Sequence, residues 1–140
     1  MKKREFQKKA AAALLKKMAE VCAGLGKNPN IAVSSRYNSS YFKLRCNGSQ
    51  IQISVRETGE LSYQLTDMLG STDGRKIYYR YQEKDDSACI IKKFADDFGR
   101  LYKDFLMAGT LHDFYSIELS YAADPEEALK EYEDYISRCM

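Results

Sequence analysis

The stretch Tyr41-Phe42-Lys43-Leu44-Arg45 alternates a ring or a cation with an apolar residue. In an extended chain, side chains two apart share a face, so Tyr41, Lys43 and Arg45 point one way and Phe42 and Leu44 the other. A guanidinium grips carboxylate or phosphate through paired N–H donors, an ammonium adds a point charge, and a tyrosine ring anchors a partner or stacks on a base. The chemistry such a set performs is anion recognition. Alternation along the neighbouring segments adds Arg36, Arg56, Lys76, Tyr78 and Arg80 to the same face, with Glu60 the only acid among them. The expected pairing sets Arg36 directly across from Lys43. Like charges so opposed cost a sheet up to about 1 kcal/mol, a cost that an acidic partner would offset.

Residue types that make and break bonds are scarce. His112 is the only histidine; it has neighbouring Asp113 but no serine–base motif, second histidine or ligand series near it. Asp85-Asp86 and Asp96-Asp97 are adjacent pairs, which point apart on a helix and cannot share a proton. Cys22, Cys46, Cys89 and Cys139 lie 24, 43 and 50 residues apart, without the short spacing of a zinc or redox motif, and read as reduced thiols. The loop from Gly70 to Gly74 lacks the lysine and the strand-to-helix setting of a phosphate loop. The chain is therefore read as non-enzymatic, with no catalytic residues, cofactor or metal.

The 140 residues suit one domain, 1–140, and a composition 44% hydrophobic and 30% charged excludes a disordered tail. The longest apolar run, Ala10 to Leu15, is far below the roughly 20 residues of a membrane span. The basic start Met1-Lys2-Lys3-Arg4 lacks the apolar core of a signal peptide, and a cytoplasmic location is expected. The formal net charge of +2 conceals a division. Residues 1–84 carry 16 basic and 7 acidic side chains, a balance of +9, while residues 85–140 carry 6 and 13, a balance of −7. Such asymmetry implies either a charged partner or neutralisation of one half by the other.

The elements that must position the cations follow from periodicity. From Lys3 to Leu25, Phe6, Ala10, Ala13, Leu14, Met18, Val21 and Leu25 form one helical stripe, with Lys8, Lys9, Lys16 and Lys17 elsewhere around the helix. Residues 31–82 switch to period two and predict a five-strand antiparallel meander. Asn47-Gly48 signals a tight hairpin pairing Leu44 with Ile51. A three-residue loop, Glu57-Thr58-Gly59, pairs Val55 with Leu61, with Gly59 as the left-handed bulge residue. Upstream, Tyr37 is expected opposite Phe42; downstream, Ile77, Tyr79 and Tyr81 are expected inward and Lys76, Tyr78 and Arg80 outward.

Asp86 or Ser87 caps a long helix to about Ala108, striped with Ile90, Ile91, Phe94, Phe98, Leu101, Phe105 and Leu106. Residues 111–121 mix strand and helix signals and are read as a short strand. Asp124-Pro125-Glu126-Glu127 opens a C-terminal helix with proline at its first position and acids in its first turn. The fold class is α+β, with the helices covering one sheet face. In element order alone it is similar to small secretion chaperones and to some single-stranded nucleic-acid modules, a likeness that transfers no residues.

These readings converge on a small regulatory, adaptor or inhibitor protein that binds an acidic protein partner through Arg36, Tyr41, Lys43, Arg45, Arg56, Lys76, Tyr78 and Arg80. The alternative is a nucleic-acid-binding module using the same face, ranked second because a pI of about 8.3 is low for such domains. An enzyme ranks third. The acidic C-terminal helix offers a competing, internal partner for the basic face.

Overall fold

The computed structural model describes residues 1–26, 31–36, 39–46, 49–66 and 74–108. Helix α1 (Lys3–Gly24) leads into strands β1 (Ile31–Arg36), β2 (Ser39–Cys46), β3 (Ser49–Val55), β4 (Glu60–Thr66) and β5 (Lys76–Arg80), and helix α2 (Ser87–Ala108) follows. The five strands form one antiparallel sheet in sequence order, so the fold is α+β. The expected strand at 111–121, the C-terminal helix and His112 lie outside the described residues.

The middle of the sheet has the expected register. Leu44 pairs with Ile51, Phe42 with Ile53, Val55 with Leu61 and Ile53 with Tyr63, so one face is continuously apolar. The β3–β4 loop closes through Arg56 N–H to Glu60 O and Gly59 N–H to Arg56 O, both 3.0 Å. Gly59 sits at φ 89°, and a Cβ there would lie 2.8 Å from the Tyr81 carbonyl oxygen. Only glycine meets both demands.

The two flanks of the sheet depart from expectation. In β1, Val33 rather than Tyr37 pairs with Phe42, Ile31 pairs with Leu44, and Arg36 pairs with Ser39 rather than Lys43. The four-residue slide brings two aliphatic side chains opposite two apolar partners. In the expected register Ile31 would have faced Gly48, past the end of β2. Because the slide is even, face parity is preserved and Lys43 and Arg45 still oppose the core side. In β5 a bulge between Leu61 and Ser62 pairs Tyr79 with Leu61 but Ile77 with Ser62, leaving Tyr78 as the extra residue. Parity inverts before the bulge. Lys76 pairs with Tyr63, on the core side, and Ile77 turns outward at 37% exposure.

Both helices pack on the apolar face. The buried apolar residues of α1, Phe6, Ala10, Leu14, Met18 and Cys22, recur every fourth position, a narrower stripe than expected, with Val21 and Leu25 only partly covered. In α2, Ile90, Phe94, Phe98, Leu101, Tyr102 and Phe105 are at most 1% exposed. Each such side chain contributes about 1.5–3 kcal/mol by leaving water. The helices meet closely where Gly99 faces the Lys17 stem, since a Cβ at Gly99 would stand 2.5 Å from Lys17 Cγ. Lys17 Nζ then reaches Asp96 at 3.0 Å across the same contact. Asp86 caps α2 by accepting from the Cys89 N–H at 3.2 Å, as its type predicts.

Candidate partner-binding face

The sheet surface turned away from the helices is organised in cross-strand rows. One row runs Tyr41, Ser54, Ser62 and Ile77. Beside it, on one side, Lys43 pairs with Gln52 and Gln52 with Gln64; one row further, Arg45 pairs with Gln50 and Gln50 with Thr66. On the other side stand Arg56, Glu60 and Arg80, with Glu60 paired to Arg80. Ser54 and Ser62 are 4% and 0% exposed, so the middle row is a floor of short side chains between tyrosine and isoleucine. Ser62 Oγ lacks a hydrogen-bond partner.

The cations divide into two groups. Arg45 is exposed and its Nε donates to Gln50 Oε1 at 3.2 Å, which steadies the side chain and leaves the terminal N–H donors for other use. Lys43 is half-buried beside it. Among the described residues no carboxylate lies within ion-pair distance of either. The second group surrounds Glu60. Arg56 Nε and Arg80 Nε lie 3.7 and 3.5 Å from its carboxylate oxygens, and Arg75 Nη1 donates to Oε1. One carboxylate cannot neutralise three guanidinium groups, so this collar also keeps positive charge.

The expected site residues therefore separate. Tyr41, Lys43, Arg45, Arg56 and Arg80 share the outer face. Arg36 keeps its outward register position but stands opposite Ser39, so the predicted Arg36–Lys43 repulsion does not arise. Lys76 leaves the face through the β5 bulge. Tyr78 leaves it altogether: at 4% exposure its ring packs 5.7 Å from Phe94 and 5.4 Å from Phe98. Tyr78 Oη donates to Asp97 Oδ2 at 2.7 Å, and Lys93 Nζ donates to Tyr78 Oη at 3.2 Å and to Asp97 Oδ2. Lys93 and Asp97 are 6% and 5% exposed. A buried ion pair on an apolar helix face needs such a third polar group, and the bulge delivers it.

Sequence reasoning missed three things here. Lys93 and Asp97 stand at i, i+4, a pairing signal obscured by the neighbouring Lys92 and Asp96. Arg75 lies one residue ahead of β5, where strand alternation gives no guidance. Ser54 and Ser62 are outward by alternation, which carries no signal of their burial. Among the described residues no cluster of three or more histidine, cysteine or acidic side chains could hold a metal, and no helix is long and apolar enough to cross a membrane. Cys22 is a buried thiol whose Sγ lies 3.7 Å from Tyr102 Oη. Comparison with protein-family models, with curated proteins and with solved structures finds no match to this chain.

Proposed function

We propose that the chain is a non-enzymatic regulatory or adaptor protein that binds an acidic surface of a protein partner through the outer sheet face. The observation that carries this reading is the adjacency of Lys43 and Arg45 on a face whose only carboxylate among the described residues, Glu60, is already committed to three arginines. Two basic groups separated by a shallow serine floor suit two acidic side chains on a partner, with the Tyr41 ring as the anchor between them. Charge of this kind steers encounter and sets register more than it adds raw affinity.

The nucleic-acid alternative uses the same cations but loses a ring, because Tyr78 lies in the core and Tyr41 alone of the expected pair is left for stacking. The deciding experiment is partner capture from a native extract with the wild-type chain and with Lys43→Glu/Arg45→Glu. A stoichiometric protein recovered by the wild type and weakened at least tenfold by the variant, with unchanged circular dichroism, supports the reading. Equal recovery removes this face from the interaction. A low-salt gel shift with oligonucleotides that collapses as salt rises assigns the face to nucleic acid instead.

A further inference from the structure

A second site lies on the opposite side of the sheet, where α1 begins and the helices leave β1 uncovered. A cleft of about 310 Å³ opens there, lined by Arg4, Gln7, Lys8, Ser35 and Ser40. The first three stand at i, i+3 and i+4, on one side of α1. Ser35 and Ser40 are direct partners across the β1–β2 ladder, on the core side by register with Phe42 and Leu44. Helix and hairpin thus bring polar side chains to the opening from both sides, above apolar stems.

The hydrogen bonding shows which way these groups are aimed. Gln7 is 4% exposed, and its Nε2 donates to Ser40 Oγ at 2.8 Å. That bond uses an oxygen lone pair and leaves the Ser40 hydroxyl hydrogen to be donated elsewhere. Arg4 meets Glu57 at 3.6 Å, but the two side chains are 64% and 39% exposed, so the pair is weak and most guanidinium donors are uncommitted. Lys8 is exposed and has no carboxylate within ion-pair distance among the described residues. Among the described residues the lining holds two cations, two hydroxyls and an amide, and no carboxylate.

We infer that this cleft binds a small phosphomonoester, with the phosphate between Arg4, Lys8 and the Ser35–Ser40 hydroxyls. A dianionic phosphate accepts from every donor the cleft presents, and a guanidinium matches its oxygens in a fork. The volume is too large for a bare anion and stands at the lower end for organic ligands, which favours a sugar-sized body on the phosphate. The proposal does not depend on the outer face, which lies across the sheet.

The test is an amide-resolved NMR titration of the full chain with ribose 5-phosphate, with ribose and sodium chloride at matched ionic strength as controls. The expected result is saturable shifts at Ser35, Ser40 and the Gln7 side-chain amide with ribose 5-phosphate alone. Arg4→Ala/Lys8→Ala, both on exposed side chains, should weaken binding about tenfold or more without altering the remaining spectrum. Ser35→Ala should weaken it by a smaller factor. Shifts reproduced by sodium chloride or ribose, or affinity unchanged in the double variant, would overturn the assignment.

Discussion

The two flanks of the sheet are built to opposite ends. On the β4–β5 flank each tyrosine is tied down. Tyr78 joins Lys93 and Asp97 inside the core; Tyr79 Oη donates to Asp85 at 2.8 Å; Tyr81 stacks on Phe6 at 4.0 Å with planes 6° apart and donates to the Met1 carbonyl at 2.6 Å. On the β1–β2 flank the same sheet is open. Residues 32–35 are exposed, Val33 is 50% exposed although it faces the helix side, and Lys43 and Arg45 lack carboxylate partners among the described residues. The tyrosines of one flank are spent on internal contacts, whereas the other flank keeps exposed side chains. Substitutions on the open flank should therefore spare the contacts that close the other.

That contrast is sharpest at the buried ion pair. Lys93→Met leaves Asp97 buried without its cation and should cost about 3–5 kcal/mol in urea unfolding, whereas Lys93→Met/Asp97→Leu should recover most of the loss. Equal destabilisation by both variants would mean that packing, and not unpaired charge, dominates there. The β3–β4 turn comes next. Gly59→Ala meets both the φ of 89° and the Tyr81 carbonyl oxygen, and should cost about 1–3 kcal/mol by the same measurement.

The Tyr79–Asp85 contact predicts how stability depends on pH. Burial, and then the hydrogen bond and charge of Asp85, push the Tyr79 hydroxyl from 10.0 up to about 12. Folding therefore favours the neutral phenol; its contribution is complete below pH 10 and is lost as pH rises towards 12. The Gln82 N–H, and then the Tyr79 hydroxyl, hold the Asp85 carboxyl below its usual 3.8, so its contribution is complete above that value and is lost as acid protonates it. Denaturant midpoints measured across pH should show both limbs, with Tyr79→Phe flattening the alkaline one. An unchanged alkaline limb would detach it from this tyrosine.

The smallest effects belong to the open flank. Val33→Thr and Lys43→Glu/Arg45→Glu should each move stability by no more than about 0.5 kcal/mol, as changes away from the core do. Stability losses of 2 kcal/mol or more, on the order of a core truncation, would show that the β1–β2 flank is structural after all.

Much of this architecture can be read before any coordinates. The alternation of Phe42, Leu44 and Cys46 with Tyr41, Lys43 and Arg45, and the glycine at position 59, demand particular faces and a particular turn. The candidate face was legible to the same extent, because parity along β2 is local. The β1 register was not, since Ile31 and Val33 satisfy the alternation at several offsets and only their partners choose among them.

Tyr78 marks the boundary between the two kinds of information. Its place in the run Lys76-Ile77-Tyr78-Tyr79-Arg80 assigns it to the outer face, because alternation is all a strand sequence records. The Lys93–Asp97 pair, fifteen or more residues away on α2, supplies a reason for a bulge that no local pattern contains. Element type, order and central register are set by contacts between near neighbours in sequence, so the sequence alone determined them. Flank register, the bulge, and the division into a closed and an open flank depend on long-range burial of polar groups, and only the assembled tertiary structure decided those.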